Sequence, residues 1–113
     1  MTHSLKSLSL AALLVLAPAA HAGAAGVPEK AASCATCHGE GGAKPIAPTY
    51  PVLAGQYANY LEHALQEYKT GKRKNAVMAG QAAALSDAEI KALARYFAQQ
   101  PGPLYTPGLH KPQ

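Results

Sequence analysis

Tryptophan is absent from the 113-residue chain, phenylalanine occurs once, and only 14% of the residues are charged. Cysteine and methionine occur twice each. Two cysteines form at most one bridge, so a framework of several disulfides is excluded. One small domain fits the length, and a second globular unit does not. The apolar core near the N-terminus, Leu8 to Ala17, is ten residues long before Pro18 interrupts it, whereas a membrane-spanning helix needs about 20. Period-2 alternation with β-branched enrichment is also missing, which argues against a sheet. A formal charge of +4 and a pI near 9.2 are mild and do not by themselves indicate a nucleic-acid partner.

What is there begins with a leader. A basic stretch ending at Lys6, a Leu/Ala-rich run and the exit Ala20-His21-Ala22 together read as a secretory signal peptide, residues 1–22. The competing reading, a retained membrane anchor, is disfavoured by the short apolar core. Cleavage after Ala22 places the mature chain in the bacterial periplasm and, with Lys6 gone, leaves a charge of +3. Residues 23–100 then form the domain. Residues 101–113 carry Pro101, Pro103, Pro107 and Pro112 and are expected to be an extended or disordered tail.

The domain is poor in aliphatic residues. Past Ala22 the chain has 13 Leu, Ile, Val or Phe in 91 residues, below the roughly one in five at which disorder becomes a serious reading. Its charge is low, however, and its helical periodicity is strong. An ordered chain with so little core needs apolar material from a cofactor or a partner.

The periodicity predicts helix over Gln56 to Thr70, where Tyr57, Tyr60, Leu61, Ala64, Leu65 and Tyr68 share one face. Gly71 stops it, with Lys69 in the last turn. A second helix starts at the capping box Ser86-Asp87-Ala88-Glu89 and carries Ile90, Leu93, Ala94 and Phe97 before Pro101-Gly102. A shorter helix is expected over Pro28 to Cys37. Gly39 to Pro51 and Gly71 to Leu85 read as loops.

The chemistry lies in Cys34-Ala35-Thr36-Cys37-His38. Cys-x-x-Cys-His is the attachment signature of c-type haem. Cysteines three apart on a helical turn share a face, and the adjacent His38 is placed under the iron as proximal ligand. Three other chemistries use the same residue types. A thioredoxin-like dithiol calls for a βαβ context that is missing. A zinc site lacks a fourth ligand, since His63 and His110 have no matching spacing. A Cys34–Cys37 disulfide would close too short a loop to stabilise much. For the second axial position, Met78 is the sole methionine left once Met1 goes with the leader. It is expected in a loop between two helices, off any apolar stripe, so the gap-filling role common for methionine fits it poorly. His63, opposite the apolar face, and His110, in the tail, are the rivals.

Taken together these residues resemble the class I c-type cytochromes, most closely the small bacterial members. The resemblance covers roughly Gly26 to Gln100. It rests on Cys34-Ala-Thr-Cys37-His38-Gly39, Pro51-Val-Leu53-Ala-Gly55-Gln56, Met78, and Leu85-Ser86-Asp87 leading to Tyr96-Phe97. It implies an all-α fold, three to five helices wrapped around one covalently bound haem c with its iron. It also implies that the Pro51 carbonyl accepts a hydrogen bond from the free ring nitrogen of His38, that Leu53 packs on the proximal side of the haem, and that Gly26 lets the first helix cross the last. Pro28 and the small Ala31 and Ala32 depart from the family pattern, so looser helix packing is expected there.

With both axial sites filled by His38 and Met78, the expected function is a periplasmic electron carrier without catalytic residues of its own. Lys69, Lys72, Arg73 and Lys74 precede Met78 and are expected to rim the haem edge, where they would steer an acidic redox partner. No nucleic-acid partner and no stable membrane insertion are expected, and a monomer is favoured. Two other classes fit the same residues: a haem c subunit of a larger dehydrogenase or terminal oxidase, and a gas-binding sensor in which Met78 is displaced.

Overall fold

The computed structural model describes residues 27–107. The expected signal peptide, Gly26 and His110 lie outside them. Four helices follow in order: α1 (Ala31–His38), α2 (Ala58–Thr70), α3 (Ala76–Ala83) and α4 (Asp87–Ala98), with a single 3-10 turn at Glu40–Gly42 between α1 and α2. Among the described residues there is no strand, and no helix is long and apolar enough to cross a membrane. The all-α expectation holds.

Local chemistry sets the helix ends. Ser86 and Glu89 form the expected capping box: the Glu89 N–H donates to Ser86 Oγ at 3.2 Å, and the Ser86 N–H donates to Glu89 Oε2 at 2.7 Å. That donated bond holds the Glu89 carboxyl below its usual range. Its contribution is therefore complete above the ordinary carboxylate range and is lost as pH falls through the lowered value. Ser86→Ala should cost about 1 kcal/mol in urea unfolding of the holoprotein, whereas a cost within a few tenths would show that packing alone starts α4.

Three boundaries differ from expectation. The first helix begins at Ala31, because the Pro28 carbonyl is taken up by the Ala31 N–H in a turn ahead of it. The helix expected from Gln56 begins at Ala58, since the Gln56 side chain accepts from the Tyr57 N–H instead. The expected loop Gly71 to Leu85 contains α3. Asn75 caps it by accepting from the Met78 N–H at 2.9 Å, and Ala76, Ala79, Ala82 and Ala83 propagate it. Met78 thus sits in the first turn of a helix, a correction to its expected loop placement.

Helix α2 packs on both α3 and α4. The core is Ala31, Leu61, Leu85, Ile90, Leu93, Ala94 and Phe97, with Cys34, Leu53, Leu65 and Tyr96 against it. Ile90 and Leu93 are the largest fully buried side chains, so this is a small core. Gly42 is required where the 3-10 turn meets it: its φ is +71°, and a Cβ there would stand 2.8 Å from Leu53 Cβ and 2.9 Å from Phe97 Cδ1. A surface cleft of about 320 Å³ lies between residues 28–30 and the start of α4, while Ala31 itself is buried in the core.

As far as Pro107 the tail has no helix or strand and is docked on the domain. Thr106 is buried and its hydroxyl donates to the Gly55 carbonyl at 2.7 Å. Tyr57 Oη donates to the Pro107 carbonyl at 2.8 Å. Proline richness forbids regular structure but not docking, and these hydrogen bonds to residues about 50 positions away hold the segment down.

Candidate functional site

The stripe on α2 closes only in part against other protein side chains. Tyr60, Leu61, Ala64, Leu65 and Tyr68 face a cavity of about 750 Å³, a size suited to a large prosthetic group. Leu93, Ala94 and Phe97 of α4 and Val52 and Leu53 of the loop after α1 line it as well. Exposed Tyr60 and Val77 also line it, so it opens to solvent beside them.

Cys34, Cys37 and His38 enter this cavity from α1, and Met78 enters from α3. These four sequence-predicted residues, separated by up to 44 positions, line one space. Both cysteines are free and half-buried. The Cys34 thiol approaches the Lys30 carbonyl at 3.5 Å, and burial pushes its pKa up. His38 is only 6% exposed. Its Nδ1 donates to the Pro51 carbonyl at 2.8 Å, which fixes the tautomer with the proton on Nδ1. Nε2 has no hydrogen-bond partner among the described residues and carries a lone pair. Tyr50 meets the imidazole edge-on, with ring centroids 6.2 Å apart.

Among the described residues no set of three or more His, Cys, Asp or Glu is placed to hold a metal ion. The rival His63 is 74% exposed and pairs with Glu67 at 3.2 Å on the outer face of α2. It lies away from the cavity.

Of the four basic residues expected at the rim, Lys69 is turned elsewhere. Its Nζ donates to the Leu85 carbonyl at 2.6 Å and lies 3.7 Å from Asp87, tying α2 to the start of α4. Lys72 and Lys74 are exposed. Arg73 lines the cavity. It donates to Tyr60 Oη at 3.3 Å and lies 5.1 Å from the centroid of the Tyr68 ring, a cation–π distance. The Tyr60 bond raises its pKa further. No other lining residue carries a permanent charge, and none is acidic.

The donor set fits haem. A flat apolar group would find aliphatic and aromatic walls there, and two thiols, a histidine nitrogen and a thioether are of the kinds that attach haem and ligate its iron. A lone cation suits the group's carboxylates. Sequence reasoning placed Arg73 at the rim and did not anticipate its place in the wall. Asn75 went unrecognised too, although Asn ahead of an Ala-rich run is an N-cap signal.

Comparison with known proteins agrees with this geometry. The family model described as cytochrome c matches residues 23–101. The chain is 42% identical over 111 residues to the thiosulfate dehydrogenase electron acceptor of Thiomonas intermedia, covering 94% of this chain and 50% of the relative. It is 41% identical over 75 residues to cytochrome c-554(548) of Halomonas halodenitrificans, covering 64% of this chain and 89% of the relative. It is 43% identical over 95 residues to cytochrome c4 of Pseudomonas aeruginosa, covering 82% and 47%. The chain thus spans about half the length of the Thiomonas and Pseudomonas relatives.

Proposed function

The chain belongs to the cytochrome c family, which carries covalently bound haem c with its iron, and on that premise we propose that it is a one-electron carrier of the bacterial periplasm with no catalytic residues of its own. The observation that carries this reading is the convergence of Cys34, Cys37, His38 and Met78 on one apolar cavity. When bound, the haem supplies an iron that alternates between ferric and ferrous states.

The protein's own residues hold and tune it. Cys34 and Cys37 bind the group through thioethers. His38, oriented by Pro51, offers Nε2 to the iron, and the Nδ1 bond raises the basicity of the imidazole. Met78 offers its sulfur, which favours the ferrous state and raises the potential. Leu53, Leu61, Leu65 and Phe97 exclude water, which keeps the dielectric low and limits reorganisation. Arg73 stands ready to pair with a haem carboxylate. With His38 and Met78 both committed to holding the iron, no position would be left for a substrate. A redox titration of purified holoprotein tests this reading: one reversible one-electron wave supports it, and haem-loaded protein without such a wave would overturn it.

The leader 1–22 supports periplasmic export. The name of the Thiomonas relative, an electron acceptor of thiosulfate dehydrogenase, supports a dehydrogenase as the electron donor. Lys72 and Lys74, exposed on either side of the cavity-lining Arg73 in the chain, would steer that partner through an acidic patch. Lys72→Gln combined with Lys74→Gln should slow association several-fold at low ionic strength, and the difference should vanish at about 1 M salt, where the Debye length is only about 3 Å. Equal stopped-flow rates at low salt would remove these lysines from docking. Arg73 is left in place in this variant because it belongs to the cavity wall.

A further inference from the structure

Among the described residues only two polar side chains are buried, His38 and Thr106, each 6% exposed. Both donate into one short loop. His38 Nδ1 reaches the Pro51 carbonyl at 2.8 Å, and Thr106 Oγ1 reaches the Gly55 carbonyl at 2.7 Å. Between these points the Leu53 and Ala54 N–H groups donate to the Gly42 carbonyl, and the Gly55 N–H donates to the Phe97 carbonyl. The loop is thus pinned to the 3-10 turn on one side and to the end of α4 on another. The C-terminal segment closes the third side. Gly102 lies so near the loop that a Cβ there would stand 2.6 Å from Ala54 Cβ, and Tyr57 Oη clasps the Pro107 carbonyl.

Thr106 does not line the cavity, so any influence it has on the haem passes through the loop. We propose that Gly102–Pro107 is a strap whose Thr106 hydroxyl holds the 51–55 loop in register, so that the Pro51 carbonyl stays on His38 Nδ1; Thr106 is a positioning residue for the proximal histidine. Gly55 is buried, and a buried carbonyl stripped of its donor is costly. The loop would relax to hydrate it and would draw Pro51 off the imidazole. A weaker bond at Nδ1 makes the imidazole a poorer donor, which stabilises ferric iron less and raises the potential. Only this last step rests on iron ligation by His38.

The test uses full-length holoprotein with two readouts: solvent exchange of the His38 Nδ1 proton, followed by NMR in the ferrous form, and the reduction potential. Thr106→Val should speed exchange at least tenfold and shift the potential upward, and Thr106→Ser should restore both. Tyr57→Phe, which loosens the strap from the surface, should move both in the same direction by less, and it serves if Thr106→Val fails to fold. Unchanged proton exchange in Tyr57→Phe and in any folded Thr106→Val protein, with a lowered thermal midpoint, would overturn the proposal and leave the strap a stabilising segment only. Faster exchange with an unchanged potential would support the strap and contradict ligation by His38 instead.

Discussion

Met78→Ala should leave a folded haem protein whose ferrous form binds carbon monoxide rapidly and whose ferric form lacks the weak sulfur-to-iron absorption band. Its potential should fall on the order of a few hundred millivolts, within the roughly 0.8 V that axial ligands command. The substitution separates ligation from folding. The Asn75 cap grips the backbone N–H of residue 78 and not its side chain, and alanine is the best helix former, so α3 should persist. Met78 is half-buried, so truncation opens a path for an external ligand without removing a fully buried core residue. His63 cannot step in, being 74% exposed and paired with Glu67 on the far face of α2. A six-coordinate spectrum with unchanged potential in Met78→Ala would show that another group holds the iron.

Replacing both cysteines, Cys34→Ala with Cys37→Ala, should yield a chain that is largely unfolded without haem. Leaving a cavity costs about 24 cal/mol per Å³, so the observed 750 Å³ would cost on the order of 18 kcal/mol if it stayed dry. Water entering through the mouth lowers that figure. The wetted apolar walls would then contribute no burial toward the roughly 5–15 kcal/mol that holds a domain together. The remaining core offers little to set against that loss, since Ile90 and Leu93 are its largest fully buried side chains. Helix α3 has eight residues and buries only Ala82, and so short a helix is not stable by itself. Far-UV circular dichroism of the double variant checks this. A cooperative thermal transition from full helicity would show that the protein side chains suffice as a core.

Much of this was legible in the sequence where the signal is local. The stop at Gly71, the Ser86–Glu89 box and the Cys34-x-x-Cys37-His38 turn all operate within a few residues, and periodicity exposed the apolar face of α2. The shortage of aliphatic residues pointed to a core supplied from outside the chain, and the α2 stripe indeed lines a cavity. Helix α3 was hidden because Ala-rich segments carry no apolar period, so the stretch around Met78 read as a loop. The docking of Thr106 and the turning of Lys69 to Leu85 depend on contacts 51 and 16 residues apart, and no local pattern announces either. Pro51 and Leu53 came from family resemblance alone. The 2.8 Å bond from His38 now gives Pro51 a physical part at the site, and Leu53 lines the cavity.

The central claim is that His38 and Met78 together hold the iron of a covalently attached haem. One measurement reaches it most directly: the absorption spectrum of purified native protein, oxidised and then reduced, with the far-red region of the ferric form included. The expected result is a low-spin ferrous spectrum that carbon monoxide leaves unchanged, together with the weak sulfur-to-iron band in the ferric state. A five-coordinate ferrous spectrum, or a ferric form without that band, would contradict it.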